Sequence, residues 1–172
     1  CYCDLEKGKD LSLENALYWL RDAAENFVQY VNLSGGETLV YPHLDTVIAE
    51  CKKLGLESAI AISGARATKE RLQKLIEEGV DEIFVSLNGS TEEINSRTRD
   101  GYDLAVNAIK LLQEIGFKNR NINWVMHSYN ADNFSEMLKL AEKYSVKNLA
   151  VLVFKPDSKH QLNSVPTFDQ MR

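Results

Sequence analysis

Cysteine, proline and long apolar runs are all scarce in this chain. Three cysteines in 172 residues, two of them within the first three positions, cannot build the framework of a disulfide-stabilised secreted domain. A reducing compartment, the cytoplasm, is therefore expected. No stretch approaches the roughly 20 apolar residues of a membrane span, and the opening Cys1-Tyr2-Cys3-Asp4-Leu5-Glu6-Lys7 lacks the layout of a secretion signal, so no membrane partner is expected. Basic residues, 20 against 25 acidic ones, leave a formal charge of −5. That balance gives no general attraction to a nucleic-acid backbone, so nucleic acid is not expected as a partner either. Against these absences stand 44% hydrophobic residues, enough for a substantial core, and a length that fits one domain over residues 1–172.

Short β-rich runs alternate with longer segments of helical period. Helices are expected over residues 10–26, 41–54, 68–78, 102–115 and 133–144, and strands over 28–33, 58–62, 82–87, 121–127 and 148–154. Ser12 suits an N-cap for the first helix, with Leu13, Ala16, Leu17, Leu20 and Ala24 on one face. Gly55, Gly79 and Gly116 sit where helices should stop. Residues 155–172 hold two of the three prolines and read as an exit segment. Five β-like runs separated by helices imply parallel strands, because a crossover helix returns the chain to the same sheet. In such α/β folds ligands bind beyond the C-terminal ends of the strands. The residues there are Ser34-Gly35-Gly36-Glu37, Ser63-Gly64-Ala65-Arg66, Asn88-Gly89-Ser90, His127-Ser128-Tyr129-Asn130 and Lys155-Pro156-Asp157.

Gly35 and Gly36, adjacent at a strand exit, let a ligand approach the main chain, and the Glu37 carboxylate beside them suits an amine. The same tetrapeptide also reads as an ordinary βα turn with a solvated glutamate. Cys1 and Cys3 are too close to bridge each other without strain. They are either soft-metal or iron–sulfur ligands or incidental terminal thiols. Cys51 shares a helical face with Leu44, Val47, Ile48 and Leu54, which marks it as a core residue.

A cysteine loop before the first helix, Leu33-Ser34-Gly35-Gly36-Glu37-Thr38 after the next strand, and Val85-Ser86-Leu87-Asn88-Gly89 two strands later together resemble the radical S-adenosylmethionine superfamily. The resemblance covers nearly the whole chain. Tyr2-Cys3 looks like the end of the family's C-x3-C-x-aromatic-C loop, Thr38 stands where proline is usual, and Ile62-Ser63-Gly64 occupies the place of Thr-Asn-Gly. The fold implied is a partial (β/α)6 TIM-like barrel lacking its first strand. Two further cluster cysteines are expected ahead of Cys1, so the chain reads as a core-domain fragment with its cluster loop in residues 1–9.

The resemblance implies two cofactors, a 4Fe–4S cluster held by Cys3, with Cys1 as a further candidate ligand, and S-adenosyl-L-methionine. Reductive cleavage of the latter yields a 5′-deoxyadenosyl radical that abstracts hydrogen from substrate. Gly35, Gly36 and Glu37 would receive the methionyl amine, Ser86 and Asn88 would reach the ribose or carboxylate, and Ser63 would be a further cofactor contact. Arg99, with Arg97 as its rival, would meet that carboxylate, and His127 and Asn130 would line cofactor or substrate space. The partners implied are a peptide or small-molecule substrate and an electron donor such as a flavodoxin or ferredoxin. The Leu-Ser-Gly-Gly-Glu, Tyr-Pro-His-Leu and Val-Ser-Leu-Asn-Gly forms are most similar to members that modify ribosomally made peptides. A cofactor-biosynthesis enzyme and a non-catalytic α/β module are the alternatives.

Overall fold

The computed structural model describes residues 10–171. Its strands are β1 (Tyr30–Leu33), β2 (Glu57–Ile62), β3 (Glu82–Ser86), β4 (Arg120–Met126) and β5 (Asn148–Val153). The helices are α1 (Leu13–Glu25), α2 (Leu44–Leu54), α3 (Lys69–Glu78), α4 (Glu92–Ser96), α5 (Tyr102–Ile115) and α6 (Phe134–Lys143). Ser12 caps α1, its Oγ accepting from Asn15 N at 3.2 Å. Gly55, Gly79 and Gly116 end α2, α3 and α5.

All five strands are parallel and lie in the order β1-β2-β3-β4-β5. A doubly wound sheet reverses direction partway, whereas this one adds every strand on the same side. Right-handed crossovers then put the helices on one face, and the sheet curls into a half-barrel with the other face inside. The expected architecture, a partial TIM-like barrel, is the one observed.

The strand period of two separates the faces chemically. Ile60, Ile62, Ile83, Val85, Leu87, Ile122 and Trp124 point to the helices and are packed with Leu72, Leu75, Ile109 and Leu112 in the main core. Each such side chain contributes about 1.5–3 kcal/mol by leaving water. The alternate residues meet on the concave face. Phe84, Asn121 and Asn148 stand side by side, and the next row toward the mouth is Ser86, Asn123 and Ala150. A register slip of one residue would exchange these rows with the core, so burial fixes the register. Cys51 is wholly buried with Ala16, Leu20, Val47 and Leu56 between α1 and α2, and desolvation pushes its thiol pKa up to about 11. The core role expected for it holds.

Two features depart from the expected element list. Helix α4 fills part of the segment before Tyr102, with Thr91 capping Ile94 N at 3.4 Å. The exit segment contains 3-10 turns at Lys159–Ser164 and Asp169–Met171 and folds back over the β4 exit. Ser128 N donates to Ser164 O at 2.9 Å, and Gln170 Nε2 donates to Ser128 O at 3.1 Å.

Candidate functional site

The strand exits β1 to β3 enclose a cleft of about 370 Å³, lined by Gly35, Gly36, Ala61, Ile62, Ser63, Ser86, Ser96, Arg97, Thr98, Arg99 and Asp100. That volume falls in the range of small-molecule sites. Its first wall is the arch Ser34-Gly35-Gly36. Neither arch glycine has a positive φ, and a Cβ built on either meets nothing within 4 Å among the described residues. Torsion and protein packing therefore both leave these glycines unexplained, and the close approach of a ligand is what a side chain there would obstruct.

Glu37 stands behind the arch as N-cap of the 3-10 turn Thr38–Val40. Its carboxylate accepts from Leu39 N at 3.2 Å, from Ser63 N at 3.0 Å and from the Ser63 hydroxyl. The β1 and β2 exits are thus tied together. Ser63 Oγ in turn accepts from Ala65 N at 3.1 Å.

The opposite wall is the segment after α4. Asn88 and Asn95 hold it, each 1% exposed. Asn95 Oδ1 accepts from Asn88 N at 2.8 Å, and Asn95 Nδ2 donates to Arg99 O at 2.7 Å. The Asn88 side chain donates to Thr98 Oγ1 at 3.1 Å and accepts from Val125 N at 3.1 Å. Its carbonyl receives Trp124 Nε1 at 3.2 Å and Asn130 Nδ2 at 2.8 Å. In a low-dielectric interior each of these bonds is expensive to leave unmade, so the wall is rigidly placed.

Charge separates the two arginines. Arg97 pairs with Glu93 at 2.9 Å and reaches Tyr129 O at 3.4 Å. Arg99 lines the cleft and makes no ion pair among the described residues. Its guanidinium is the cation available for an anion there. With Asp100 on the same wall, the cleft presents both signs of charge, plus the hydroxyls of Ser63, Ser86, Ser96 and Thr98. This donor set fits a zwitterionic amino-acid moiety joined to a sugar, the chemistry of S-adenosylmethionine.

The other half of the mouth differs. At β4 and β5 a shallower cavity of about 500 Å³ is lined by Val125, Val151, Leu152, Val153, Phe154, Lys155, Asp157 and Gln161. Buried His127 stacks on Phe154 with ring centroids 4.4 Å apart. Desolvation lowers its pKa, which keeps the imidazole neutral near pH 7.

Of the residues expected from sequence, the structure brings Gly35, Gly36, Ser63, Ser86 and Arg99 to one cleft. Glu37 and Asn88 stand behind its walls, and His127 lies by the β4–β5 mouth. Cys1 and Cys3 lie outside the described residues. Asn130, expected at a strand exit, instead ties Asn88 O to Val125 O through its side-chain amide, while Asn95, Thr98 and Asp100 carry no mark in the sequence. For Asn95 there was no signal, since it is one of four polar residues around Ile94 in the run Glu92–Ser96.

The sequence model of the radical SAM superfamily matches residues 1–141. The mycofactocin maturase MftC of Mycolicibacterium smegmatis is 29% identical over 119 residues, 68% of this chain and 30% of that protein. The PqqA peptide cyclase of Methylocella silvestris is 26% identical over 142 residues, 77% of this chain and 37% of the cyclase. The chain thus spans about a third of the length of these curated relatives. Among solved structures, Streptococcus suis SuiB superposes with a TM-score of 0.79 over 97% of this chain and 39% of its own, at 19% identity. A structure of anSMEcpe with bound AdoMet and a peptide gives 0.78 over 98% of this chain and 51% of its own, at 16% identity. These two likenesses establish a shared half-barrel. The family match does more, since it runs through the arch, both walls of the cleft and the first four strands: the chain belongs to the radical SAM superfamily.

Proposed function

We propose that the protein carrying this domain is a radical SAM enzyme that modifies a peptide. The observation that carries the reading is the Gly35–Gly36 arch facing Arg99 across a cleft of about 370 Å³. When bound, S-adenosylmethionine and a 4Fe–4S cluster supply one-electron chemistry, the reductive cleavage whose product takes hydrogen from the substrate. The chain's residues bind and orient. Arch main-chain groups receive the methionyl ammonium, with the Glu37 carboxylate behind them supplying negative charge, and Arg99 takes the carboxylate as a charge-assisted pair. Ser63 and Ser86 meet the polar sugar edge. Asn88 holds Thr98 and Val125, so its contribution is to keep the Arg99 wall against β4. Cys3, with Cys1, is assigned to the cluster on the strength of the family's cysteine loop.

A peptide substrate is supported by the relatives: a maturase, a peptide cyclase, and SuiB, solved bound to its precursor peptide SuiA. The apolar β4–β5 mouth, with neutral His127 beside it and Lys155 and Asp157 at its rim, is the side on which substrate would be held away from water. The electron would come from a flavodoxin or ferredoxin.

The test uses the full-length protein, reconstituted anaerobically with iron and sulfide and reduced with dithionite. Production of 5′-deoxyadenosine, and a mass change in a co-expressed precursor peptide, are the expected results. Arg99→Ala should raise the KM for S-adenosylmethionine about tenfold or more, the loss of one hydrogen-bonded charge pair. No cluster absorbance and no 5′-deoxyadenosine from that protein would overturn the reading.

A further inference from the structure

Among the described residues, Ser34, Gly35 and Gly36 make no hydrogen bond, and apart from the adjoining chain nothing lies within 4 Å of a Cβ built on either glycine. Among the described residues, the arch is therefore held from its ends. Its first end is Leu33, paired with Ile60 in the β1–β2 ladder. Its second end is the pair Glu37 and Thr38, both of which reach across to β2. Glu37 holds Ser63. Thr38 is 8% exposed, and its hydroxyl donates to the carbonyl of Ala61 at 2.6 Å. Ala61 and Ser63 both line the cleft, so the two bonds fix the arch against the surface it must face.

We propose that Thr38 is a positioning residue: its bond to Ala61 sets where the Gly35–Gly36 main chain sits, and so how tightly the cleft holds S-adenosylmethionine. This rests on the reading that the cleft binds that molecule. Thr38 touches no ligand itself, because its hydroxyl is turned into the ladder. An arch without bonds of its own gains its preorganisation from such anchors, and a binding seat that must be ordered during binding is weaker by that ordering. Without Thr38, Glu37 is the one side-chain anchor left at the second end, about which the arch can pivot.

The experiment compares Thr38→Val, which keeps the shape and removes the hydroxyl, with Thr38→Ser, which keeps the hydroxyl. Both are made in the full-length protein with its cluster oxidised. S-adenosylmethionine binding is measured by equilibrium dialysis, and amide exchange of Leu39 and Ser63, the two N–H groups on Glu37, is measured without ligand. Thr38→Val should raise the Kd about five- to tenfold and speed exchange at both amides, with kcat at saturating S-adenosylmethionine unchanged within about twofold. Thr38→Ser should bind and exchange like the parent. A folded Thr38→Val with the parental Kd overturns the inference. So does a folded Thr38→Ser with a matching loss, which keeps the test decisive if Thr38→Val does not fold. Failure of the parent protein itself to bind S-adenosylmethionine would instead sink the proposed function.

Discussion

The glycines at the first strand exit and those at the second and third have opposite surroundings. Gly64 has φ +94°, and a Cβ there would lie 2.4 Å from Leu104 O, inside the backbone of α5. At Gly89 the Cβ would lie 2.5 Å from Asn95 N, where α4 sits directly on the β3 exit. Around Gly35 and Gly36 the described residues leave open space. The same residue type thus serves packing at one side of the cleft and access at the other. Absence of a side chain near a site is not by itself a sign of ligand contact, and only the surroundings separate the two uses.

Substitution can break this contrast. The largest effect is expected for Gly64→Ala, which meets helix backbone in a torsion that alanine disfavours. It should lose about 3 kcal/mol or more of stability, read as a lowered thermal midpoint, and any activity should fall with the folded fraction. Gly36→Ala should do the reverse. Its stability should stay within about 0.5 kcal/mol of the parent while the Kd for S-adenosylmethionine rises about tenfold or more. If Gly36→Ala unfolds like Gly64→Ala, or binds like the parent, the distinction collapses. The smallest effect runs the other way. Phe27 closes α1 at φ 62° and is 91% exposed, a position whose torsion suits glycine. Phe27→Gly should gain about 0.5–1 kcal/mol in a denaturant titration.

Most of the fold was legible because burial writes itself into period. The runs Ser58-Ala59-Ile60-Ala61-Ile62 and Glu82-Ile83-Phe84-Val85 carry the strand signal, and both strands lie within one residue of their expected bounds. The first strand starts at Tyr30 and not at residue 28, since Val28 N still bonds Ala23 O at 3.0 Å and closes the helix. Helix α4 escaped because its single apolar residue, Ile94, cannot establish a period. The site divides the same way. Gly35, Gly36, Ser63, Ser86 and Arg99 were legible from residue type and place at strand exits. What Glu37 holds was not, because Ser63 lies 26 residues away. Asn95 was illegible for a related reason: its two partners are a neighbouring loop's amide and its own chain four residues on, and neither leaves a pattern.

At Gly35 and Gly36 the arch exposes main chain and no side chain, and that shapes how such a seat is inherited and altered. Atoms common to every residue cannot be deleted one at a time, so a mutational scan of this domain should register the arch in two ways: by side chains added at Gly35 and Gly36, and by losses one layer back at Glu37 and Thr38. A map of damaging substitutions would then outline the scaffolding of the seat as well as its surface, and new ligand preferences would arise by shifting that scaffolding.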